Sequence, residues 1–190
     1  MYKNIYPIIN ISDNNVLNEE LVIKSLTLDP KYMQLRMKKG SVEEIVALSK
    51  QVVLLRDKFN PKTKIIVNDS VDAALLSGAD GVHLGQTDNI LCGLKRKRDN
   101  FIVGYSTHTV DEVIAANSMP VDYIGFGPVF KTKTKIQSYL EVYQFVDEVP
   151  ALSLHPVVFI GGIDENNIKL LPKGDKIFYA MIGALDKILK

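Results

Sequence analysis

Short apolar runs alternate along the chain with segments of helical period. Each run has the length of a buried strand and ends in polar or glycine-containing residues. Predicted strands cover residues 5–11, 32–37, 64–67, 81–84, 101–105, 122–130 with its loop, 157–160 and 177–180. Helices are predicted at residues 18–28, 71–76, 90–98 and 136–146, with others starting at Ser41, Thr109 and Asp164 and a short one at the C-terminus.

Local signals mark the ends of several of these helices. Ser41 with Glu44, and Thr109 with the acid three residues after it, have the spacing of a capping box. Gly78 is placed to end the third helix, and Pro30 stops the first. Because the signals agree with the periodicity, the helix order follows from local sequence.

Eight strands alternating with helices predict a parallel α/β sheet, and their number favours a closed TIM (β/α)8 barrel. No linker or low-complexity stretch divides the chain, so a single domain over residues 1–190 is expected. Such barrels usually contain about 250 residues, which implies short loops and a trimmed last helix here. A hydrophobic content of 46% is enough for the core.

Charge and cysteine content exclude several classes of function. A net charge of +1 gives no electrostatic basis for binding nucleic acid or an anionic membrane. The basic run from Lys95 to Arg98 is interpreted as a solvated helix end. The single cysteine, Cys92, can form neither an intrachain disulfide nor a thiolate metal site. The apolar N-terminal run is too short for a signal peptide or a membrane span, so a cytoplasmic protein is expected.

Two carboxylates follow neighbouring predicted strands. Asp69 comes after the third strand and Asp88 after the fourth, so in a parallel pair they lie on one rim. Carboxylates with nearby amide oxygens suit magnesium, which completes its shell with water and substrate phosphate. The alternative is that each is a helix N-cap, which is the better interpretation of either residue alone. With His83 and Gln86 nearby, the pair favours a metal site.

Three polar side chains end the second strand. Gln34, Arg36 and Lys38 are spaced by two, so they face the same side of an extended segment. Cations that face the mouth of a barrel require an anion, whereas the alternative is a set of surface ion pairs. The apolar residues at the intervening positions, such as Leu35, favour the inward orientation.

Later strand ends add hydroxyls, glycines and charge. Ser106 and His108 follow strand five, but residues so close in sequence rarely form a nucleophilic pair, and that interpretation is set aside. After strand six, Gly125 and Gly127 allow close approach of a ligand, and a basic loop follows. The loop is either plain surface or a diphosphate site, and the glycines favour the latter. Strands seven and eight end in glycines suited to phosphate binding through backbone amides. The candidate binding residues of these loops are Thr132, Thr134, Lys135, Gly161, Gly162 and Gly183.

These motifs together resemble the thiamine phosphate synthase family, from Tyr32 to Ala184. The resemblance rests on the Asn-Asp pair, the ADGVHLGQ-x-D motif, the Gln-x-Arg-x-Lys segment, the Ser-x-His pair and the G-x-GP-x-x-x-T-x-TK loop. It implies a TIM barrel that joins a hydroxymethylpyrimidine diphosphate to a thiazole phosphate with magnesium held by Asp69 and Asp88. It implies catalytic roles for Lys135, Ser106, Arg36 and Lys38. It implies substrate binding by Gln34, Arg36, Lys38, Asn68, His83, Ser106, His108, Thr132, Thr134, Lys135, Gly161, Gly162 and Gly183.

Two departures from the family pattern keep alternatives open. Gly183 stands where the family usually has Ser, and the loop after Lys135 is shorter than the family's lid, so it would exclude water less well. One alternative is a thiazole tautomerase resembling TenI that uses His108. Another is a non-catalytic protein that binds a phosphorylated ligand. Phosphorylated small molecules are the expected ligands in every case, and a homodimer is possible.

Overall fold

A computed structural model describes residues 4–11, 15–88, 90, 95, 100–131 and 142–189. Eight parallel strands pair in chain order, and β8 pairs with β1, so the sheet is a closed barrel. The predicted TIM (β/α)8 fold is therefore confirmed. The strands are β1 Ile5–Ile11, β2 Tyr32–Met37, β3 Lys64–Asn68, β4 Gly81–Leu84, β5 Ile102–Thr107, β6 Tyr123–Phe126, β7 Val157–Phe159 and β8 Ile177–Met181.

The described helices lie between the strands, with the short helix α6 after the last one. They are α1 Glu19–Thr27, α2 Val42–Phe59, α3 Val71–Ser77, α4 Val110–Ala116, α5 Val149–Leu152 and α6 Leu185–Ile188, with a 3-10 helix at Ile168–Leu170. Ser41 and Thr109 form the predicted capping boxes, each closed by a glutamate three residues on. Gly78 ends α3 in the left-handed conformation, as predicted. The local signals therefore placed these ends correctly.

Three helix predictions differ from the structure or cannot be compared fully. The Asp164 carboxylate accepts hydrogen bonds from the amides of Asn166 and Asn167, as an N-cap does, but the segment forms turns and the 3-10 helix Ile168–Leu170 instead of an α-helix. It cannot extend further, because Leu171, which precedes Pro172, is extended. Most of helix 90–98 and residues 136–141 of helix 136–146 lie outside the described residues, and residues 144–148 form turns. The short helix α5 was not predicted.

Alternate residues of each strand enter two separate cores. Outward-facing residues such as Met33, Leu35 and Met37 pack in the layer between sheet and helices. Inward-facing residues form a smaller cluster rich in aromatic rings. Its large members are Tyr6, Tyr32, Tyr123 and Phe178, whose neighbouring ring centroids are 5.4–5.9 Å apart. The aromatic cluster fills the barrel below its mouth.

A buried ion pair at the N-terminal end of the strands joins α2 to the barrel. Arg56 donates to the Asp80 carboxylate at 2.6 Å and to the Thr63 carbonyl at 2.9 Å. Asp80 also accepts from the Ile65 amide, and hydrogen bonds to Ile65, Lys64 and Arg56 lower the pKa of its carboxyl although partial burial opposes them. Removal of either partner would leave a poorly compensated charge.

Replacement of Gly81 by alanine is expected to destabilise the barrel. A Cβ at this position would lie 2.2 Å from the backbone oxygen of Ile102, which cannot move without disturbing the β4–β5 pairing. We expect Gly81→Ala to lower the free energy of unfolding by about 2 kcal/mol, measured by urea denaturation. Gly183→Ala is the control, because a Cβ there meets no atom of the described residues within 4 Å. Equal stability of the two variants would contradict the steric argument.

Candidate active site at the barrel mouth

One cavity of about 650 Å³ opens at the C-terminal ends of the strands. It brings together every predicted site residue that lies in the described part of the chain. These are Gln34, Arg36, Lys38, Asn68, Asp69, His83, Asp88, Ser106, His108, Gly161, Gly162 and Gly183. The predicted residues Thr132, Thr134 and Lys135 lie outside the described residues.

Asp69 and Asp88 face each other at this mouth. Burial raises the pKa of the Asp88 carboxyl, as do the negative charge of Asp69 and a hydrogen bond with it, while the Gly85 amide and Lys38 act in the opposite direction. The Gly85 amide donates to Asp88 at 2.6 Å. Two acids this close repel each other when both are ionised, so a cation between them would be stabilised.

The N-cap interpretation is wrong for Asp69. The cap of α3 is Ser70, whose side chain accepts from the Ala73 amide at 3.2 Å. Asp69 itself has a φ of 64°, in the left-handed region that few residues other than glycine adopt. The Asp69 carboxylate therefore does not cap the helix. It pairs instead with the Lys38 ammonium at 2.5 Å.

The oxygen donors at this position fit magnesium. Among the described residues no three or more His, Cys, Asp or Glu side chains cluster as a metal site, so a metal here would have Asp69 and Asp88 as its facing carboxylates. Magnesium is commonly held by one or two carboxylates and takes its other ligands from water and substrate phosphate. Asp69 and Asp88 line the same cavity in hydrogen-bond contact, and an ion between them would relieve the repulsion that helps to raise the pKa of Asp88.

Two cations stand beside the acid pair. Lys38 is paired with Asp69, so the ion pair predicted as the alternative does exist, but its acid belongs to the cavity and not to the outer surface. The Arg36 guanidinium donates to the Asn10 side chain and lines the same cavity. Partial burial lowers the pKa of Arg36, and the charge of Asp69 acts against that shift. A ligand phosphate would therefore meet positive charge here.

Below the charged layer, a continuous chain of hydrogen bonds crosses the barrel. Its links join six side chains of β1, β2, β3, β4, β5 and β6. They are Asn68 to Gln34 at 2.8 Å, Gln34 to Tyr6 at 3.1 Å, Tyr6 to Tyr123 at 2.8 Å, Tyr123 to His83 at 3.0 Å and His83 to Ser106 at 3.0 Å. The predicted residues Gln34, Asn68, His83 and Ser106 are thus held by one network.

His108 belongs to a different part of the cavity from Ser106. Its Nδ1 lies against the Gly127 carbonyl, and its backbone amide donates to Glu112 at 2.6 Å. A carbonyl only accepts, so Nδ1 carries the proton and Nε2 of the neutral ring is unprotonated. Ser106 instead bonds His83, which agrees with setting aside a Ser106–His108 nucleophilic pair.

The loops after β7 and β8 line the opposite side of the cavity. Gly161 and Gly162 have φ values of 103° and 64°, and a Cβ on Gly162 would lie 2.5 Å from the Lys131 carbonyl oxygen. Only glycine fits this close approach to the loop after β6, and both glycines line the cavity. The absence of a side chain at Gly183 leaves open space, and Lys187 of α6 lines the cavity nearby.

The sequence analysis did not identify Tyr6, Asn10 or Tyr123 as site residues. All three line the cavity, and Asn10 holds Arg36. The signal that could have found them is the period of two. Tyr6 is an even number of residues from Asn10 in β1, so both side chains point to the same face of the strand. Tyr123 and Gly125 are related in the same way in β6.

Comparisons with known proteins agree with this geometry. The family model described as thiamine monophosphate synthase matches residues 5–185. A thiamine-phosphate synthase of Persephonella marina is 45% identical over 124 residues, which is 64% of this chain and 59% of that protein. The thiamine-phosphate synthase of Clostridium tetani is 34% identical over 169 residues, 88% of this chain and 78% of that protein. The chain therefore spans about three fifths of the first relative and most of the second.

Solved structures show the same architecture. A thiamine phosphate pyrophosphorylase from Pyrococcus furiosus has a TM-score of 0.74 and 26% identity, covering 97% of this chain and 92% of that one. A tryptophan synthase complex from Pyrococcus furiosus has a TM-score of 0.64 at 14% identity, covering 99% of this chain and 90% of that one, and shows the fold alone. No helix in the described part of the chain has both the length and the apolar content needed to cross a bilayer.

Neutralisation of Asp69 is expected to lower the pKa of Asp88. In Asp69→Asn the like charge is lost, and Lys38, freed from its partner, adds to the stabilisation of the Asp88 carboxylate. The expected result is a midpoint of Asp88 ionisation at lower pH, measured by carbon NMR titration without divalent ions. Glu19→Gln, on the exposed face of α1, is the control and should leave Asp88 unchanged. An unchanged Asp88 pKa in Asp69→Asn would show that the two acids do not interact.

Proposed function

Because the chain belongs to the thiamine monophosphate synthase family, we propose that it joins a hydroxymethylpyrimidine diphosphate to a thiazole phosphate and releases pyrophosphate. The observation that carries the proposal is the pair of facing acids, Asp69 and Asp88, with Lys38 and Arg36 beside them over one cavity. Oxygen ligands for a hard cation and fixed positive charge together suit a diphosphate leaving group.

The reaction requires charge stabilisation more than proton transfer. As the carbon–oxygen bond to the diphosphate breaks, negative charge accumulates on the leaving group while the aminopyrimidine becomes electron-poor. Arg36 and Lys38 are already positioned by Asn10 and Asp69, so little reorganisation is needed when the charge appears. The thiazole nitrogen attacks with its own lone pair, so no general base is assigned.

Asp69 and Asp88 are the residues that would hold magnesium. The ion, when bound, supplies Lewis-acid neutralisation of the diphosphate oxygens. The remaining work falls to the chain itself: Arg36 and Lys38 orient the diphosphate, and Gly161 and Gly162 present backbone to the second substrate's phosphate. The roles of Thr132, Thr134 and Lys135 at the diphosphate stay predictions of the sequence.

One observation favours a second candidate function, the tautomerase. His108 lines the cavity, and in the neutral tautomer that donates from Nδ1 to Gly127, its Nε2 could accept a proton from a thiazole substrate. A tautomerase needs neither the acid pair nor the cations, which is why the synthase is preferred. The two activities differ in their requirement for a divalent ion, because proton transfer has no diphosphate leaving group to neutralise.

The proposal also covers the ligands, the binding partners and the cellular location of the protein. We expect phosphorylated small molecules as substrates, a cytoplasmic location and no nucleic-acid partner. The homodimer also stays a prediction of the sequence.

The decisive assay combines both substrates with magnesium and measures pyrophosphate release. We expect Asp69→Ala to lower turnover roughly 100- to 1,000-fold, the magnitude typical for loss of one electrostatic contact at a transition state, while circular dichroism shows an intact fold. Glu19→Ala removes an exposed acid of α1 and should retain full turnover. Turnover that is unchanged in Asp69→Ala, or that persists with a chelator present, would contradict the proposed site.

A further inference from the structure

The hydrogen-bond chain from Ser106 to Asn68 has one direction, and that direction can be worked out from its atoms. The Gln34 Oε1 atom is acceptor-only, so the Tyr6 hydroxyl must donate to it. Tyr6 has no second proton, so the Tyr123 hydroxyl donates to Tyr6. Burial raises the pKa of both phenols, so both remain protonated donors at neutral pH.

Assigning one proton to each donor also fixes the hydrogen bonds at both ends of this chain of side chains. Tyr123 has used its proton, so it accepts from Nδ1–H of His83. When the ring carries this one proton, Nε2 accepts from the Ser106 hydroxyl. At the other end, Gln34 Nε2 donates to Asn68 Oδ1. Ser106 therefore directs lone pairs, and not its proton, towards the cavity.

The Asn68 amide is the second observation that points to a ligand. Its Nδ2 is buried and has no hydrogen-bond partner among the described residues, although the residue lines the cavity and is only 7% exposed. A buried donor without a partner is costly, so a bound acceptor would compensate it. The network thus ends in an acceptor at Ser106 and a donor at Asn68.

We propose that Tyr6 and Tyr123 are positioning residues that set this polarity, so that the cavity binds a ligand with a donor at Ser106 and an acceptor at Asn68. Resting on the proposed function, the inference identifies the pyrimidine's exocyclic amino group as the donor and a ring nitrogen or phosphate oxygen as the acceptor. A 4-oxo pyrimidine would place a carbonyl against the Ser106 lone pairs. The tyrosines therefore determine selectivity without touching the reacting atoms.

The polarity can be tested without turnover by nitrogen NMR of His83 in the ligand-free protein, with His83→Gln used to assign the signal. The expected tautomer is Nδ1–H in the wild type. In Tyr6→Phe the Tyr123 hydroxyl loses its acceptor and can donate to His83 Nδ1, so the tautomer should change to Nε2–H. Tyr6 does not bond His83 directly, and a purely structural role would not move this signal. An Nε2–H tautomer in the wild type, or no change in Tyr6→Phe, overturns the proposal.

Selectivity provides the second readout. We expect Tyr6→Phe to reduce the preference in kcat/KM for the 4-amino over the 4-oxo pyrimidine diphosphate by roughly tenfold or more. This is the effect expected when a buried hydrogen bond to the ligand is lost or reversed. Tyr32→Phe is the matched control. Tyr32 stacks on Tyr123 at 5.4 Å, yet its hydroxyl makes no hydrogen bond within the described residues. Equal preference in Tyr6→Phe and wild type would contradict the inference.

Failure of the proposed function gives a different result from failure of this inference. A wild-type protein that releases no pyrophosphate rejects the synthase activity, while the His83 tautomer still reports on the network. In that case calorimetric titration with the two diphosphates replaces the kinetic comparison. Tighter binding of the 4-amino compound by wild type, lost in Tyr6→Phe, supports the inference, and equal binding of the two compounds by wild type rejects it.

Discussion

Closure of eight parallel strands is the constraint on which the rest of the structure depends. A closed barrel gives every strand an inner and an outer face, so alternate residues are assigned to different cores. The inner space is small and must be filled without gaps. Tyr123 is accommodated because its neighbour across the strand pair is Gly104, where a Cβ would lie 2.1 Å from the tyrosine ring. Bulk on one strand is therefore matched by glycine on the next.

This filling divides the interior into layers with different chemistry. The aromatic layer is apolar around its rings but carries hydroxyls, so it can hold polar side chains above it in fixed orientations. Gln34 and His83 rest on these hydroxyls, and their other atoms position Asn68 and Ser106. A polar network in a buried setting is stable when its members are satisfied, and its one unsatisfied donor faces the cavity.

The charged layer at the mouth holds like charges close together. Asp69 adopts a left-handed backbone, and Asp88 is close enough to it that the pKa of Asp88 is raised. The opposite end of the barrel carries the compensating features, among them the buried pair of Arg56 and Asp80. In barrels of this kind, residues that stabilise the fold usually lie at the N-terminal ends of the strands. The functional residues, here like charges close together, lie at the C-terminal ends.

The sequence by itself determined the order of the eight strands, the capping boxes at Ser41 and Thr109, and many of the strand-end residues that line the cavity. These depend on period, turn chemistry and neighbours in the chain, which are local. The segment after Asp164 forms only a turn and a short 3-10 helix, because Leu171 before Pro172 is extended. Only the tertiary structure decided that Tyr6 and Tyr123, 117 residues apart, bond each other, and that Ser106 pairs with His83 and not with His108. Barrel closure brings such residues together, and no local pattern encodes which inward side chains will meet.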